Sequence, residues 1–462
     1  MNTRGLLRTL ALPLLAATTS PMSTPGGATA ASLAASAPRS AHVTPLAQSA
    51  PRDARVAPVA RGARASTPST MAAAPLAQSA LAGQLSHEMG IVGPRSGAYV
   101  LDLTTEAPLF SERAEQARPP ASVEKLYTAS AALETMGAEA TLATTVLGSG
   151  HPGPGGRWEG DLYLRGGGDP TFGGAAFVAR QYGGEGTTVS KLAGLVRAAG
   201  VRSVTGTING DESYLDSLRG EPASGYAFDP DLEGNLSALA FNRGATGTQG
   251  GAHAPAAYAA LQLRGALRAD GIVVHGGGAA TAPPGATVIA SASSPPLSTL
   301  LGLTLPPSDN FLAETLLKDL GARYGGAGTT AAGAAVVRGA IAHLGLHPRV
   351  LDGSGLSHSD STSPYQVVSL LRTLAHSPLG TTLRNDLAIV GHTGTLSERM
   401  RYTPASGRCQ AKTGTLIGVS NLAGYCTAQN GHILAFAFFT DGIETGEAHT
   451  IQDNMTITLA RY

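Results

Sequence analysis

Three short motifs constrain what this chain can fold into. Only four lysines occur in its 462 residues, and two of them lie in Ser122-Val123-Glu124-Lys125 and Lys412-Thr413-Gly414-Thr415. Ser308-Asp309-Asn310 stands between these two motifs in the chain. Ser-x-x-Lys, Ser-x-Asn and Lys-Thr-Gly, in this order, are typical of an acyl-transfer site in which lysine, not histidine, is the base. Such a site forms only if the fold brings three distant segments together.

The flanking sequence predicts a local structure for each motif. Apolar residues recur at helical spacing after the first serine: Leu126, Ala129, Ala132, Leu133 and Met136. Ser122 is therefore predicted at a helix N-terminus, with Lys125 one turn later on the same face. Ser308 opens or precedes another helix, and Lys412 lies in a strand predicted over 410–415.

These residue types can perform acyl transfer if the motifs converge. A serine hydroxyl needs an adjacent base, and lysine serves only when its amine is neutral. Burial and a nearby like charge, which Lys412 would supply, both lower the pKa of Lys125. A helix N-terminus at Ser122 would favour developing negative charge, and the backbone N–H groups of Ser122 and Thr415 are the candidate oxyanion hole.

The remaining motif residues suit substrate recognition. Ser308 can relay a proton, and the Asn310 amide offers both a donor and an acceptor to a substrate amide. The segment Lys412, Thr413, Gly414 and Thr415 carries an ammonium and two hydroxyls that suit a free carboxylate.

Composition excludes several classes of function. The formal net charge is zero and no basic block is present, which argues against a nucleic-acid partner. The 12 histidines are scattered without ligand spacing, so no metal site is predicted, and no cofactor is expected. The length indicates two or three domains.

The N-terminus is typical of an export signal. Arg4 and Arg8 precede an apolar stretch over 10–17, and Ala28-Thr29-Ala30 offers a cleavage site. The stretch is shorter than the ~20 residues that span a bilayer. Residues 1–30 are therefore predicted to be a signal peptide, with an uncleaved anchor as the alternative. No stable transmembrane anchor is expected, and the protein is predicted to be exported or extracytoplasmic.

Periodicity divides the rest of the chain. Residues 31–83 are rich in Ala, Ser and Pro without a sustained apolar period, which predicts a disordered tether. Order is expected from about Leu85. Short strands alternate with turns over 140–292, with one helix near Ser190–Ala199, which predicts an inserted α+β region. The parent α+β domain would comprise 84–139 and 293–462.

Two cysteines flank a candidate hairpin. Cys409 and Cys426 are equidistant from a turn predicted at Ile417-Gly418, so antiparallel strands would place them opposite each other. Export would permit a disulfide between them, and two buried thiols are the alternative.

The chain resembles a known family over about residues 84–462. It is similar to the low-molecular-mass penicillin-binding proteins of the penicillin-binding protein 4 type, the D-alanyl-D-alanine carboxypeptidase/endopeptidases. The resemblance rests on five segments: Pro120-Ala121-Ser122-Val123-Glu124-Lys125-Leu126, Gly168-Asp169-Pro170, Ser308-Asp309-Asn310, Leu351-Asp352-Gly353-Ser354-Gly355-Leu356-Ser357, and Ala411-Lys412-Thr413-Gly414-Thr415-Leu416. The long spacing between the first two catalytic motifs is also similar, because members of the family insert extra domains there.

This resemblance implies a fold and roles for the matching residues. The fold is a serine β-lactamase/transpeptidase-like domain, an antiparallel sheet with helices, split by the insertion. Ser122 would be the acylated nucleophile, Lys125 the base and Ser308 the proton relay. Asn310 would hold the substrate amide and Lys412 its carboxylate. The implied substrates are peptidoglycan stem peptides ending in D-Ala-D-Ala, and β-lactams would inhibit by acylating the same serine.

One departure and two alternatives remain. Gly391-His392-Thr393-Gly394-Thr395-Leu396 imitates the Lys-Thr-Gly motif with histidine for lysine, and we interpret it as a loop rather than a second site. A serine β-lactamase shares the three motifs, but class A enzymes place Ser-Asp-Asn much closer to the nucleophile and add a deacylating glutamate soon after it. Glu314 is expected to be only a helix residue. A catalytically weak peptidoglycan-binding module is the non-enzymatic alternative.

Overall fold

The computed structural model describes residues 74–244 and 254–462. The predicted signal segment 1–30 and residues 31–73 of the predicted tether lie outside the described residues. A helix, α1 (Gln78–Val92), begins inside the predicted tether and buries Leu81 and Leu85. Order therefore starts earlier than the expected boundary near Leu85, because one narrow apolar stripe secures an otherwise Ala- and Ser-rich segment.

The strands are β1 (Gly97–Asp102), β2 (Ala107–Glu112), β3 (Ala143–Pro152), β4 (Arg157–Arg165), β5 (Ser203–Asp211), β6 (Val273–His275), β7 (Thr287–Ser293), β8 (Ala388–Ile389), β9 (Cys409–Leu416), β10 (Val419–Thr427) and β11 (Ile433–Asp441). The helices after α1 are α2 (Lys125–Met136), α3 (Ala175–Tyr182), α4 (Val189–Ala198), α5 (Pro255–Ala269), α6 (Leu297–Thr304), α7 (Asn310–Tyr324), α8 (Thr330–Ala342), α9 (Pro364–Ala375), α10 (Pro378–Asn385) and α11 (Thr445–Arg461).

An antiparallel six-stranded sheet joins both ends of the described chain. Its order is β2-β1-β11-β10-β9-β8, so the strand that follows α1 pairs with β11 near the C-terminus. Both faces of β11 are buried: Phe436 and Phe438 pack on one side, and Ala437 and Phe439 on the other. This explains why the sequence of β11 is almost continuously apolar.

Helices cover the two faces of this sheet. The cluster on one face includes residues of α1 and α11, and the cluster on the other includes residues of α2, α7, α8 and α9. The resulting helix–sheet–helix arrangement places α2 and α7, which carry two of the three motifs, on the same side of the sheet. The predicted α+β class with an antiparallel sheet is confirmed.

A second sheet forms within the segment predicted to be inserted. Its order is β6-β5-β4-β3-β7, and it has its own apolar cluster between Val146 and Ala292. Strand β5 runs parallel to both β4 and β6, and parallel neighbours require crossover connections, usually helices. Three helices, α3, α4 and α5, therefore occur where one was predicted. The buried face of α5 is built largely of alanine, which gives a weak periodic signal.

None of the helices in the described ranges combines the length and apolarity needed to span a bilayer. No cluster of three or more potential metal-ligating side chains occurs among residues 74–244 and 254–462.

Candidate active site

Ser122 lies on a tight turn at the start of α2. A single 3-10 turn, Ala121–Glu124, runs directly into α2, so the serine precedes the α-helix by one turn. Ala121 adopts a left-handed φ of 47°, a conformation that costs energy for a residue with a Cβ atom. The turn points the hydroxyl towards Lys125, whose Nζ lies 3.0 Å from Ser122 Oγ.

Lys125 is held by three partners. Besides Ser122, its Nζ lies 2.6 Å from Asn310 Oδ1 and 2.8 Å from the Ser354 carbonyl oxygen. Both oxygens accept hydrogen bonds and cannot donate, so the amine donates to each. A neutral amine has two N–H bonds and one lone pair, and these two acceptors use both N–H bonds. The lone pair is then left to face the Ser122 hydroxyl, as a general base requires.

The Asn310 side chain is oriented by a second contact. Its Nδ2 donates to the Asp231 carbonyl oxygen at 2.8 Å, which fixes the amide so that Oδ1 faces Lys125. Asn310 is the first residue of α7, and the Asp309 side chain caps this helix by accepting from Leu312 N at 2.9 Å. The Arg243 guanidinium contacts the same Asp309 carboxylate.

Burial makes Lys125 easier to deprotonate than an exposed lysine. The side chain is 1% exposed, and this burial lowers the pKa of Lys125 from 10.5 to about 8, against the opposing effect of the nearby carboxyls of Asp352 and Glu314. Burial, with the charge of Lys125, also lowers the pKa of Lys412 well below its ordinary value. The charge of Lys125 therefore acts on Lys412, as expected if the fold brings the two motif lysines close together.

Strand β9 passes directly against the turn that carries the nucleophile. A Cβ atom on Gly414 would lie 2.6 Å from the Pro120 carbonyl oxygen and 3.1 Å from Ser122 N, so only glycine fits without a shift. From the neighbouring strand β10, Asn421 Nδ2 donates to the carbonyl oxygens of Pro119 and Pro120, both at 2.9 Å. The sheet thereby fixes the backbone that precedes Ser122.

The loop at 391–396, whose sequence resembles the Lys-Thr-Gly motif, contacts the strand that carries that motif. Lys412 is fully buried, and its Nζ donates to the Thr413 carbonyl oxygen at 2.9 Å. The Thr413 hydroxyl lies 2.8 Å from the Thr395 hydroxyl. Thr395 also donates its backbone N–H to the Pro306 carbonyl oxygen at 3.0 Å. The loop at 391–396 therefore links β9 to the segment just before Ser308.

A cavity of about 590 Å³ opens beside these residues. Its wall includes one residue from each motif, Ser122, Asn310 and Thr415, together with the acidic residues Asp229, Asp231 and Glu233. Ser308 lines a separate cavity of about 260 Å³, which also includes Asn310. Ser308 has a left-handed φ of 67°, and its hydroxyl makes no hydrogen bond to Ser122, Lys125 or Lys412 within the described ranges.

The predicted hairpin carries a disulfide bond. Cys409 and Cys426 face each other across β9 and β10, with Cα atoms 4.0 Å apart and the sulfurs bonded. Leu416 pairs with Val419, so the turn falls at Ile417-Gly418 as predicted. The bond lies three residues before Lys412 on the same strand.

Sequence reasoning missed the supporting residues of this site: the Ser354 carbonyl, the Asp231 carbonyl, Asn421 and Thr395. Two of them act through backbone oxygens, which leave no side-chain signature. Ser354 lies in the Asp-Gly-Ser-Gly segment already noted for its resemblance, and that segment was the one available signal.

Comparison with known proteins identifies the family. The model of the D-Ala-D-Ala carboxypeptidase 3 (S13) family matches residues 77–229 and 231–462. The chain belongs to this family. A D-alanyl-D-alanine carboxypeptidase from Actinomadura sp. is 31% identical over 454 residues, covering 80% of this chain and 82% of the relative. Carboxypeptidase DacB from Mycolicibacterium smegmatis is 28% identical, covering 78% and 79%.

The fold has a counterpart among solved structures. The crystal structure of penicillin binding protein 4 (dacB) from Haemophilus influenzae superposes with a TM-score of 0.67 at 20% identity, covering 81% of this chain and 97% of that one. The same protein complexed with a β-lactam gives a TM-score of 0.64. The predicted transpeptidase-like fold and the predicted serine-type D-Ala-D-Ala carboxypeptidase family are confirmed.

Proposed function

We propose that this S13-family enzyme cleaves peptidoglycan stem peptides ending in D-Ala-D-Ala, with Ser122 as nucleophile and Lys125 as general base. The observation that carries the proposal is the set of contacts around Lys125 Nζ. Its Nζ donates to Asn310 Oδ1 and to the Ser354 carbonyl oxygen and lies 3.0 Å from Ser122 Oγ, so the neutral amine would keep its lone pair for the Ser122 hydroxyl.

The reaction would proceed in two steps. Lys125 takes the Ser122 proton as Oγ bonds to the carbonyl carbon of the penultimate D-Ala. The C–N bond then breaks, and the terminal D-Ala amine leaves with a proton returned from the lysine. Water hydrolyses the resulting ester and regenerates Ser122. The backbone N–H groups of Ser122 and Thr415 would stabilise the oxyanion.

The remaining motif residues would bind the substrate. Lys412, Thr413, Gly414 and Thr415 would recognise the terminal carboxylate, and Asn310 the substrate amide. The Ser308 hydroxyl, which has no competing side-chain hydrogen bond among described residues, would relay the proton towards the leaving amine. We further propose that residues 140–292 form the inserted domain and that the enzyme works outside the cytoplasm.

A β-lactam should acylate the same serine, because it presents a strained amide to the nucleophile. Glu314 is fully buried, and its Oε1 accepts from the backbone N–H groups of Gly353 and Ser354 behind Lys125, so it is not placed to activate a deacylating water. We therefore favour a carboxypeptidase, whose acyl-enzyme with a β-lactam persists, over a β-lactamase.

Mass spectrometry after incubation with benzylpenicillin tests this proposal. We expect one adduct on the peptide that contains Ser122, and release of D-alanine from a D-Ala-D-Ala muropeptide. Lys125→Ala should slow acylation by about 10²–10⁴-fold, and Lys125→Arg should fail similarly because a guanidinium stays protonated. An adduct on another serine, or near-normal acylation by either variant, would contradict the assignment.

A further inference from the structure

We propose that Glu314 is a positioning residue for Lys125: its carboxylate fixes the peptide whose Ser354 carbonyl accepts one N–H bond of the lysine amine. This role rests on Lys125 acting as the base of the proposed function. Glu314 would act from behind the site, without touching the substrate.

The contacts form an unbroken chain from helix to base. Glu314 Oε1 accepts from Gly353 N and Ser354 N, both at 2.8 Å. The Ser354 carbonyl oxygen then accepts from Lys125 Nζ at 2.8 Å. A second bond, from Thr128 Oγ1 to the Gly353 carbonyl oxygen at 3.0 Å, ties the same loop to α2. Because the Glu314 carboxyl group accepts two adjacent backbone N–H groups, it fixes the plane of the peptide bond between Gly353 and Ser354. It thereby also orients the following peptide bond, which carries the Ser354 carbonyl oxygen.

Helix α7 thereby controls both acceptors of the lysine. Asn310 and Glu314 are four residues apart on α7, so they lie one turn apart on the same face. Asn310 supplies its Oδ1 directly, whereas Glu314 supplies the Ser354 carbonyl through the loop. A shift of Glu314 would move one of the two groups that hold the amine with its lone pair towards Ser122.

The charge of Glu314 adds a second effect. Burial, reinforced by Asp352, raises the pKa of Glu314 to about 8, close to the lowered pKa of Lys125. The two groups therefore lose their protons in the same pH range. An ionised Glu314 makes Lys125 retain its proton more strongly, so removing this charge should let Lys125 act as a base at lower pH.

Other charged groups surround the pair and must be kept constant in a test. Those that act on Lys125 besides Glu314 are Glu124, Asp309, Asp352 and Lys412. Those that interact with Glu314 besides Lys125 are Glu124, Asp352, Asp360 and Lys318. Substitution of Glu314 by glutamine leaves all of them in place.

The test measures the rate of Ser122 acylation by benzylpenicillin against pH in the full chain. Glu314→Gln keeps an oxygen acceptor for the two N–H groups but cannot ionise. The acylation rate of this variant should therefore begin to rise at a pH about 1 unit lower. Its maximal rate should stay near that of the unaltered enzyme. Glu314→Ala removes the acceptor as well, and the maximal rate should fall by about 10²-fold, as misplacement of a catalytic group does.

Glu124→Gln is the matched control. Glu124 is also buried beside Lys125, but no hydrogen bond ties its carboxyl group to the 353–354 loop, and burial raises its pKa well above the ordinary value. It acts on Lys125 more weakly than Glu314 does, so its substitution should shift the pH profile less than Glu314→Gln.

Superimposable profiles for Glu314→Gln and the unaltered enzyme, or a shift to higher pH, would overturn the role of Glu314 while leaving the proposed function intact. A Glu314→Ala variant that is folded and acylates at the normal maximal rate would also overturn it. Absence of any Ser122 adduct in the unaltered enzyme would refute the proposed function and this role together.

Discussion

Replacing Asn421 by alanine should disable Ser122 without touching any motif. Asn421 is 1% exposed, and its Nδ2 donates to the Pro119 and Pro120 carbonyl oxygens at 2.9 Å each. Two successive prolines have no N–H groups with which to anchor themselves. The turn that follows starts at Ala121, with its left-handed φ. Asn421 is thus a principal hydrogen-bonding support of a strained segment.

The magnitude follows from these two bonds. Each contributes about 0.5–1.5 kcal/mol net, so Asn421→Ala should lower the free energy of unfolding by about 1–3 kcal/mol. The rate of Ser122 acylation should fall more strongly than the stability, because a displacement of about 1 Å at a reacting group lowers the rate about 10²-fold. Asn421→Asp should be worse than alanine, since a carboxylate has no N–H to donate and would face two carbonyl oxygens.

The assay combines thermal melting with the rate of β-lactam acylation at Ser122. Asn454→Ala is the control, because Asn454 is an exposed asparagine on α11, and both quantities should stay unchanged. A folded Asn421→Ala variant that acylates at the normal rate would show that the prolines hold the turn by themselves.

Three further outcomes are expected. The pKa of Lys125 is lowered to about 8, so the acylation rate should rise with pH below that value, where the neutral amine is scarce, and level off above it. A rate that falls as pH rises through this range would exclude a neutral lysine base. Lys412→Ala should slow turnover of substrates with a free terminal carboxylate more than turnover of a neutral ester, and equal losses would contradict carboxylate recognition. Reduction of the Cys409–Cys426 bond should destabilise the protein by up to about 3 kcal/mol, and an unchanged melting temperature under reducing conditions would show that β9 needs no such link.

The sequence predicted the elements whose signal is local. The β9–β10 hairpin turns at Ile417-Gly418, and its register was predictable from that turn. The motif side chains were predictable because acyl transfer demands those residue types. Helices α1, α3 and α5 were missed because their apolar signal is weak. Helix α1 buries one narrow stripe, α3 has only two buried side chains in 8 residues, and the buried face of α5 is built largely of alanine.

The supporting contacts could not be predicted because they join residues far apart in the chain. Asn421 is an ordinary strand residue until the fold places it beneath Pro119 and Pro120. Glu314 looked like a routine helical acid, and its proposed role depends on the backbone of the loop that follows the next helix, α8. Backbone acceptors such as the Ser354 carbonyl carry no residue preference, so only three-dimensional structure reveals them.

The segment predicted to be inserted takes part in the site, and this bears on how Asn310 can serve two partners. Its Oδ1 faces Lys125, and one of its two Nδ2 hydrogens goes to the Asp231 carbonyl. The second hydrogen would be available to a substrate carbonyl in the cavity that Asn310 lines. Arg243 bonds Glu233 at 3.0 Å and contacts Asp309, so the same segment also braces the start of α7. In the proposed mechanism, Asn310 would therefore both orient the base and hold the substrate amide, because residues of the segment predicted to be inserted fix its orientation.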